Sequence, residues 1–230
     1  MKVQRCVVMG AISLGLSMLV CPAFAQGYGG YGNPCAGLPS QGALQTALDG
    51  AVSPSNNNGG LGNNMWATLV ANDGTVCAVA FSGAQYSSQW LGSRVISAQK
   101  ANTANDFNLS NGSRLNGTGL ALSTANLYSA VQPGGSLYGL QHSNPVDPEV
   151  AYQGNAALYG TPHDPLVGNR VGGVNVFGGG LGLYQSGGVK VGGVGVSGDT
   201  SCTDHMIAWQ VRHTLQLDHL RTVPRAGVPI

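Results

Sequence analysis

Residues 172–220 restrict the fold more than any other stretch, because two valine–glycine segments run directly into a helical repeat. GGVNVFGGG from Gly172 and GGVKVGGVG from Gly187 match at six of nine positions, fifteen residues apart, and bracket the run LGLYQSGG. β-Branched residues alternating with small ones fit a pleated surface, so the two segments are predicted to be paired strands. The second runs through Val196, Ser197 and Gly198 into DTSCTDHMIAWQVRHTLQLD. There Ile207, Ala208, Val211 and Leu215 recur at helical spacing behind the cap candidates Asp199, Thr200 and Ser201. A strand therefore feeds a helix through a glycine turn. His213 shares a helix face with Met206, Trp209, Leu217 and Leu220 and is read as a buried structural histidine.

Gly193, Gly195 and Gly198 also fit the spacing of a dinucleotide fingerprint. That motif needs a following parallel strand, and RTVPRAGVPI beyond Leu220 holds two prolines and no apolar run of strand length. The glycines are read instead as residues that let a strand turn sharply against a helix.

Lys2 and Arg5 precede an apolar run at 7–20, and Ala23 and Ala25 offer small residues where a signal peptidase reads them. The expected organisation is a signal peptide at 1–25, a glycine–tyrosine leader at 26–37, one domain at 38–220 and a tail at 221–230. Within the domain, 136–170 reads as an irregular insertion. No other stretch approaches the roughly 20 apolar residues of a membrane span. A secreted or periplasmic protein is expected. Cleavage takes 25 residues from 230 and leaves 205, enough for one well-buried domain. Without Lys2 and Arg5, eight scattered basic residues face nine acidic ones, so nucleic acid and anionic membranes, which need clustered positive charge, are poor partners.

Cys35, Cys77 and Cys202 remain after cleavage. Two of the three can pair in an oxidising compartment; Cys77 with Cys202 is the preferred disulfide, although sequence leaves the connectivity open. The odd thiol is read as buried, with a subunit link or metal ligation as alternatives.

Along the domain, Ser40 is a cap for a helix over QGALQTALDGAV that ends at Ser53 and Pro54. Residues 65–71 and 75–81 form a predicted hairpin about Asn72, Asp73 and Gly74. Strict alternation puts Cys77, Val79 and Phe81 on one face and Val76, Ala78 and Ala80 on the other, both apolar and both covered. Ser87 and Ser88 cap a long helix in which Trp90, Leu91, Val95, Ala98 and Ala101 repeat at three and four. Asn108, Asn111 and Asn116 open Asn-x-Ser/Thr triplets that read as loop chemistry, and LALSTANLYSAV as a further short helix. The insertion carries His142, Asp147, Glu149, His163 and Asp164, whose spacing fits no compact metal motif, so they read as surface polar residues.

Three segments resemble a known family. Ala98–Ala104, AQKANTA, resembles its A-x-K-A-x-T-A helix; the GGG-L-x-L-Y run from Gly178 to Tyr184 resembles its GG-x-P-L segment; and 191–198, with Asp204 beyond, resembles its G-x-x-G-x-x-G-V-S-G strand and acidic helix start. In this order, over roughly 38–220, they are similar to the GlcG/HbpS-like haem-binding family. The resemblance implies a single α/β (α+β) domain, an antiparallel sheet with helices packed on it, frequent homo-oligomers, and haem or a related tetrapyrrole as ligand. The insertion, and Leu181-Gly182-Leu183 in place of the family's proline-containing turn, depart from the pattern.

Haem requires an apolar slot, partners for its propionates and, optionally, an axial ligand. Lys100, Arg94 and the helix start after Gly198 are the candidates for carboxylates, and Thr103 joins Lys100 on the family helix. A solvated or dipole-paired Lys100 is the competing reading. His205 is the candidate iron ligand, with Cys202, three residues away on the same side, as a weaker one. The expected function is haem sequestration, sensing or delivery outside the cytoplasm. A haem-dependent or haem-degrading enzyme and a non-catalytic oligomer supporting a partner enzyme are the alternatives.

Overall fold

The computed structural model describes residues 32–56, 58–110, 113–115 and 118–220; the expected signal peptide, the first half of the leader, Asn111, Asn116 and the tail lie outside them. Ser40 caps α1 (Gln41–Ala51) by accepting from the Ala43 N–H, and Leu44, Ala47, Leu48 and Ala51 form its buried face. β1 (Trp66–Ala71) and β2 (Val76–Phe81) follow as the expected hairpin. Next come α2 (Leu91–Asp106), the small pair β3 (Ser113–Leu115) and β4 (Thr118–Leu120), and two 3-10 turns where one short helix was expected. The insertion holds the single turns α3 (Leu140–Ser143) and α4 (Pro148–Ala151) and a 3-10 turn at Ala156–Leu158. β5 (Gly180–Gln185), β6 (Val189–Ser197) and α5 (Ser201–Thr214) close the domain. The sheet runs β2-β1-β6-β5 and is antiparallel throughout.

Of the two glycine–valine segments, only the second is a strand. Gly172 and Gly173 adopt positive φ and break any extended run, so 172–179 becomes a strip lying against α2 and LGLYQ itself pairs with β6. Residues 193 and 195 of β6 face α2, and an added Cβ would collide with the Ala101 carbonyl at Gly193 and with the Ser97 carbonyl at Gly195. The helix backbone therefore rests directly on the strand backbone. This close approach is the role of Gly193 and Gly195, whereas Gly198 lies against the Asn64 carbonyl.

Each sheet face is covered. Ala67, Leu69, Ala78, Ala80, Val194 and Val196 pack beneath α1 and α5. Trp66, Val70, Val76, Val79 and Phe81 pack beneath α2 and the insertion's Tyr159 and Leu166. Val76 thus joins Val79 and Phe81, contrary to strict alternation. The register steps from Leu69↔Ala78 to Val70↔Val76, which leaves Cys77 as a bulged residue and flips the parity on its N-terminal side. The disulfide joins Cys77 to Cys35, not to Cys202. The bulge lies on an edge strand close to the chain entering α1, whereas Cys202 is exposed with a free thiol, which also overturns the expected burial.

α2 starts later than expected. Ser88 Oγ donates to the Gln85 carbonyl, Gln89 Oε1 accepts from the Trp90 N–H, and Trp90 stands outside the apolar stripe, 65% exposed. Asn108 is a buried tie, donating to the Ala104 and Leu122 carbonyls and accepting from the Tyr184 hydroxyl. Burial pushes the Tyr184 phenol up to about 12, against the opposing charge of Arg212.

Replacing Gly195 by Ala should lower stability by about 3 kcal/mol, the upper end for an overpacked core, because backbone atoms cannot move aside. Gly50→Ala, in α1 where an added Cβ meets nothing within 4 Å, should raise it by roughly 0.5–1 kcal/mol. Thermal unfolding of the two variants against the parent chain checks both signs.

Candidate functional site

Lys100 comes from the third turn of α2, and Asp204 from the first turn of α5. Lys100 Nζ donates to Asp204 Oδ2 at 2.6 Å and to the Val196 carbonyl at 3.0 Å, with both side chains almost fully enclosed. Asp204 Oδ1 accepts from the Asp199 N–H at 2.9 Å. One ion pair thus ties α2, the end of β6 and the start of α5. Burial pushes the Lys100 ammonium down, opposed by the Asp204 charge, and pushes the Asp204 carboxyl up, opposed by Lys100. Each partner favours the charged form of the other against the cost of burial.

The strip 177–179 passes over this pair. Phe177 places its ring 4.8 Å from Lys100 Nζ. The Gly178 N–H donates to Ser201 Oγ, and a Cβ at Gly178 would stand 3.0 Å from His205 Cβ. Gly179, at φ +116, would press a Cβ to 3.0 Å from Lys100 Nζ. Thr103 Oγ1 accepts from the Asn175 N–H, and Thr124 Oγ1 donates to the Phe177 carbonyl, so the strip is pinned from both sides.

The structure brings Lys100, Gly198 and His205 to one end of the domain but gives them different parts to play. Lys100 is wholly enclosed and committed to internal acceptors, which removes it from contact with a ligand carboxylate. Arg94 is directed elsewhere: its guanidinium pairs with Asp164, donates to the Ala151 carbonyl and stacks 3.6 Å from the Tyr159 ring centroid. It anchors the insertion, and Asp164 is thereby a buried partner rather than a surface residue. Among the described residues no group of three or more His, Cys, Asp and Glu stands where it would hold a metal.

The helix start after Gly198 already holds an anion of its own. The Asp199 carboxylate accepts from the N–H groups of Leu61, Asn63 and Thr200. Burial alone would raise its pKa, but these bonds outweigh that and hold it below the ordinary value. Thr200 caps the helix by accepting from the Thr203 N–H.

His205 is half-buried, and its Nδ1 is enclosed without a hydrogen-bond partner. Burial first, then the charges of Arg212 and Lys100, lower its pKa from 6.5, so the imidazole is neutral at pH 7. Around it α5 turns Cys202, Met206, Trp209 and His213 outward. The reading of His213 as buried is therefore reversed: it is exposed, pairs with Asp218 at 2.7 Å and stacks on Trp209. Asp204 and Arg212 occupy inner positions instead, because each finds internal partners there, and this rotates the larger apolar residues outward. Sequence pattern had no signal for that exchange.

A family model described as haem degrading protein HbpS-like matches residues 44–212. The chain belongs to the HbpS-like family. No curated protein matches the chain. Among solved structures, the complex of PduOC with haem shares 21% identity, covering 75% of this chain and 89% of that one, with a TM-score of 0.49. The Klebsiella pneumoniae protein ORFY shares 21%, covering 77% and 90%, with a TM-score of 0.47. HbpS shares 17%, covering 77% and 89%, with a TM-score of 0.46.

Lys100→Ala should destabilise the domain by roughly 3–5 kcal/mol, because it leaves Asp204 buried without its counter-charge. Lys100→Met combined with Asp204→Asn should recover much of that loss, which urea unfolding of the single and double variants measures. His205 gives a separate pH signature. Its folded-state pKa lies below the unfolded 6.5, so the folded chain binds fewer protons and stability falls as pH drops below that value. The melting temperature should fall less in His205→Gln than in the parent chain between pH 7 and pH 5.

Proposed function

We propose that this chain binds haem at the outer side of the α5 start, in an oxidising compartment outside the cytoplasm, and carries it. Membership of the HbpS-like family supports the ligand class, and the PduOC structure is a haem complex. His205 carries the proposal of place. Its imidazole is neutral, and with Nδ1 enclosed, Nε2 is the nitrogen that can meet an external ligand. Phe177, Met206 and Trp209 are 36%, 45% and 36% exposed, and they supply the apolar and aromatic surface that a tetrapyrrole face requires. When bound, haem iron supplies ligand exchange and electron transfer. Lys100 acts as a positioning residue: through Asp204 it holds the first turn of α5, and hence His205, in place. Since the Asp199 carboxylate already places a negative charge beside the helix start, the propionates are directed to solvent. The Cys35–Cys77 bridge supports export, because such bonds persist in oxidising compartments.

A haem titration followed by visible absorbance is the test. The parent chain should show one saturable Soret transition, and His205→Ala should shift that band and weaken binding. No saturable site in the parent chain would remove the proposal, and an unchanged spectrum in the variant would remove His205 from it. Ascorbate separates carriage from breakdown: a persisting Soret band supports carriage, while bleaching with iron release supports the degrading activity named for the family.

A further inference from the structure

At the C-terminal end of α2 the chain forms a second polar concavity, which takes no part in the haem proposal. A cleft of about 380 Å³ lies between Asp73 and Gly74 of the hairpin turn, Asn102 and Asp106 of α2, and Asn144 and Arg170 of the insertion. We propose that this cleft binds a small neutral polyol of monosaccharide size.

Asn102 is the residue that points to a ligand. It is only 8% exposed, and its Nδ2 is engaged twice, by Asp106 Oδ2 at 2.9 Å and by the Gly173 carbonyl at 3.2 Å. Those two bonds fix the amide plane and turn Oδ1 toward the hairpin turn, 3.2 Å from where a Cβ on Gly74 would stand. Among the described residues nothing donates to that oxygen. A buried amide with its donors satisfied and its acceptor left facing a cleft is a preorganised hydrogen-bond acceptor.

The surrounding groups define what it accepts from. Each Asp106 oxygen takes one hydrogen bond, Oδ1 from Asn105 and Oδ2 from Asn102, which leaves further lone pairs on both. Arg170 gives one N–H to Asp73 Oδ2 at 2.5 Å, and with its side chain 65% exposed the rest of its donor fork remains available. Acceptors and donors therefore both line the cleft. A bare cation would stand beside the guanidinium, and an anion would stand beside two carboxylates, so each is opposed. A hydroxyl both donates and accepts and meets both kinds of group. The volume lies at the small end of ligand pockets, which fits one sugar ring with water.

The test follows the side-chain amide signal of Asn102 and the Nε–H signal of Arg170 by NMR in the full chain. Glucose, galactose, ribose and glycerol are titrated separately, with glycine and Ca²⁺ as the zwitterionic and cationic arms. At least one sugar should give saturable shifts of both signals. Asn102→Ala should weaken that binding by about tenfold, and Arg170→Gln, an exposed change that leaves the fold intact, by a similar factor. Absence of saturation by every sugar overturns the proposal, as does saturation by glycine or Ca²⁺ alone, or unchanged affinity in Arg170→Gln.

Discussion

The ammonium of Lys100, enclosed between Asp204 and the Val196 carbonyl, joins three elements that are far apart in sequence. A charge in that position costs several kcal/mol to desolvate and is tolerated only because its partners are in place. Everything near it follows from that condition. The strip 177–179 must carry glycines to pass over the pair, Asp204 must face inward, and the helix bearing it must turn Met206 and Trp209 toward solvent. The exposed surface beside His205 is thus a consequence of a buried charge.

The sequence shows the order of elements, the α1 cap, the hairpin and the β6-to-α5 turn, because each rests on local chemistry. Ser40, Asn72-Asp73-Gly74 and Thr200 act on neighbours only a few residues away. The family resemblance, carried by Ala98–Ala104 and the glycine segments, leads to the same architecture. What stayed hidden depends on distant partners. Arg94 and Lys100 look like equivalent surface cations until Asp164 and Asp204 are brought to them across 70 and 104 residues. Periodicity weighs Met206, Trp209 and His213 as a core face because it cannot register a polar side chain that finds its partner inside.

The strands depart from simple periodicity at two places. A single bulge at Cys77 puts Val76 on the same side of β2 as Val79 and Phe81, and no residue type announces it. In the same way, GGVNVFGGG and GGVKVGGVG carry nearly the same letters, but positive φ at Gly172 and Gly173 prevents the first from joining the sheet. Glycine permits both outcomes, so composition alone does not choose between them.

The two buried cations of α2 sit six residues apart and so project about 120° from one another around the helix. Arg94 engages the insertion on one side, and Lys100 engages the start of α5 on the other. Where β6 meets α2 it offers two bare glycines, a smooth backbone surface without knobs that by itself does little to fix the position of the helix along its axis. With both pairs in place, a displacement of one residue along its axis strands two charges at once. The arrangement therefore works as a key with two teeth, and it gives α2 a single seating where the glycine groove by itself would accept several.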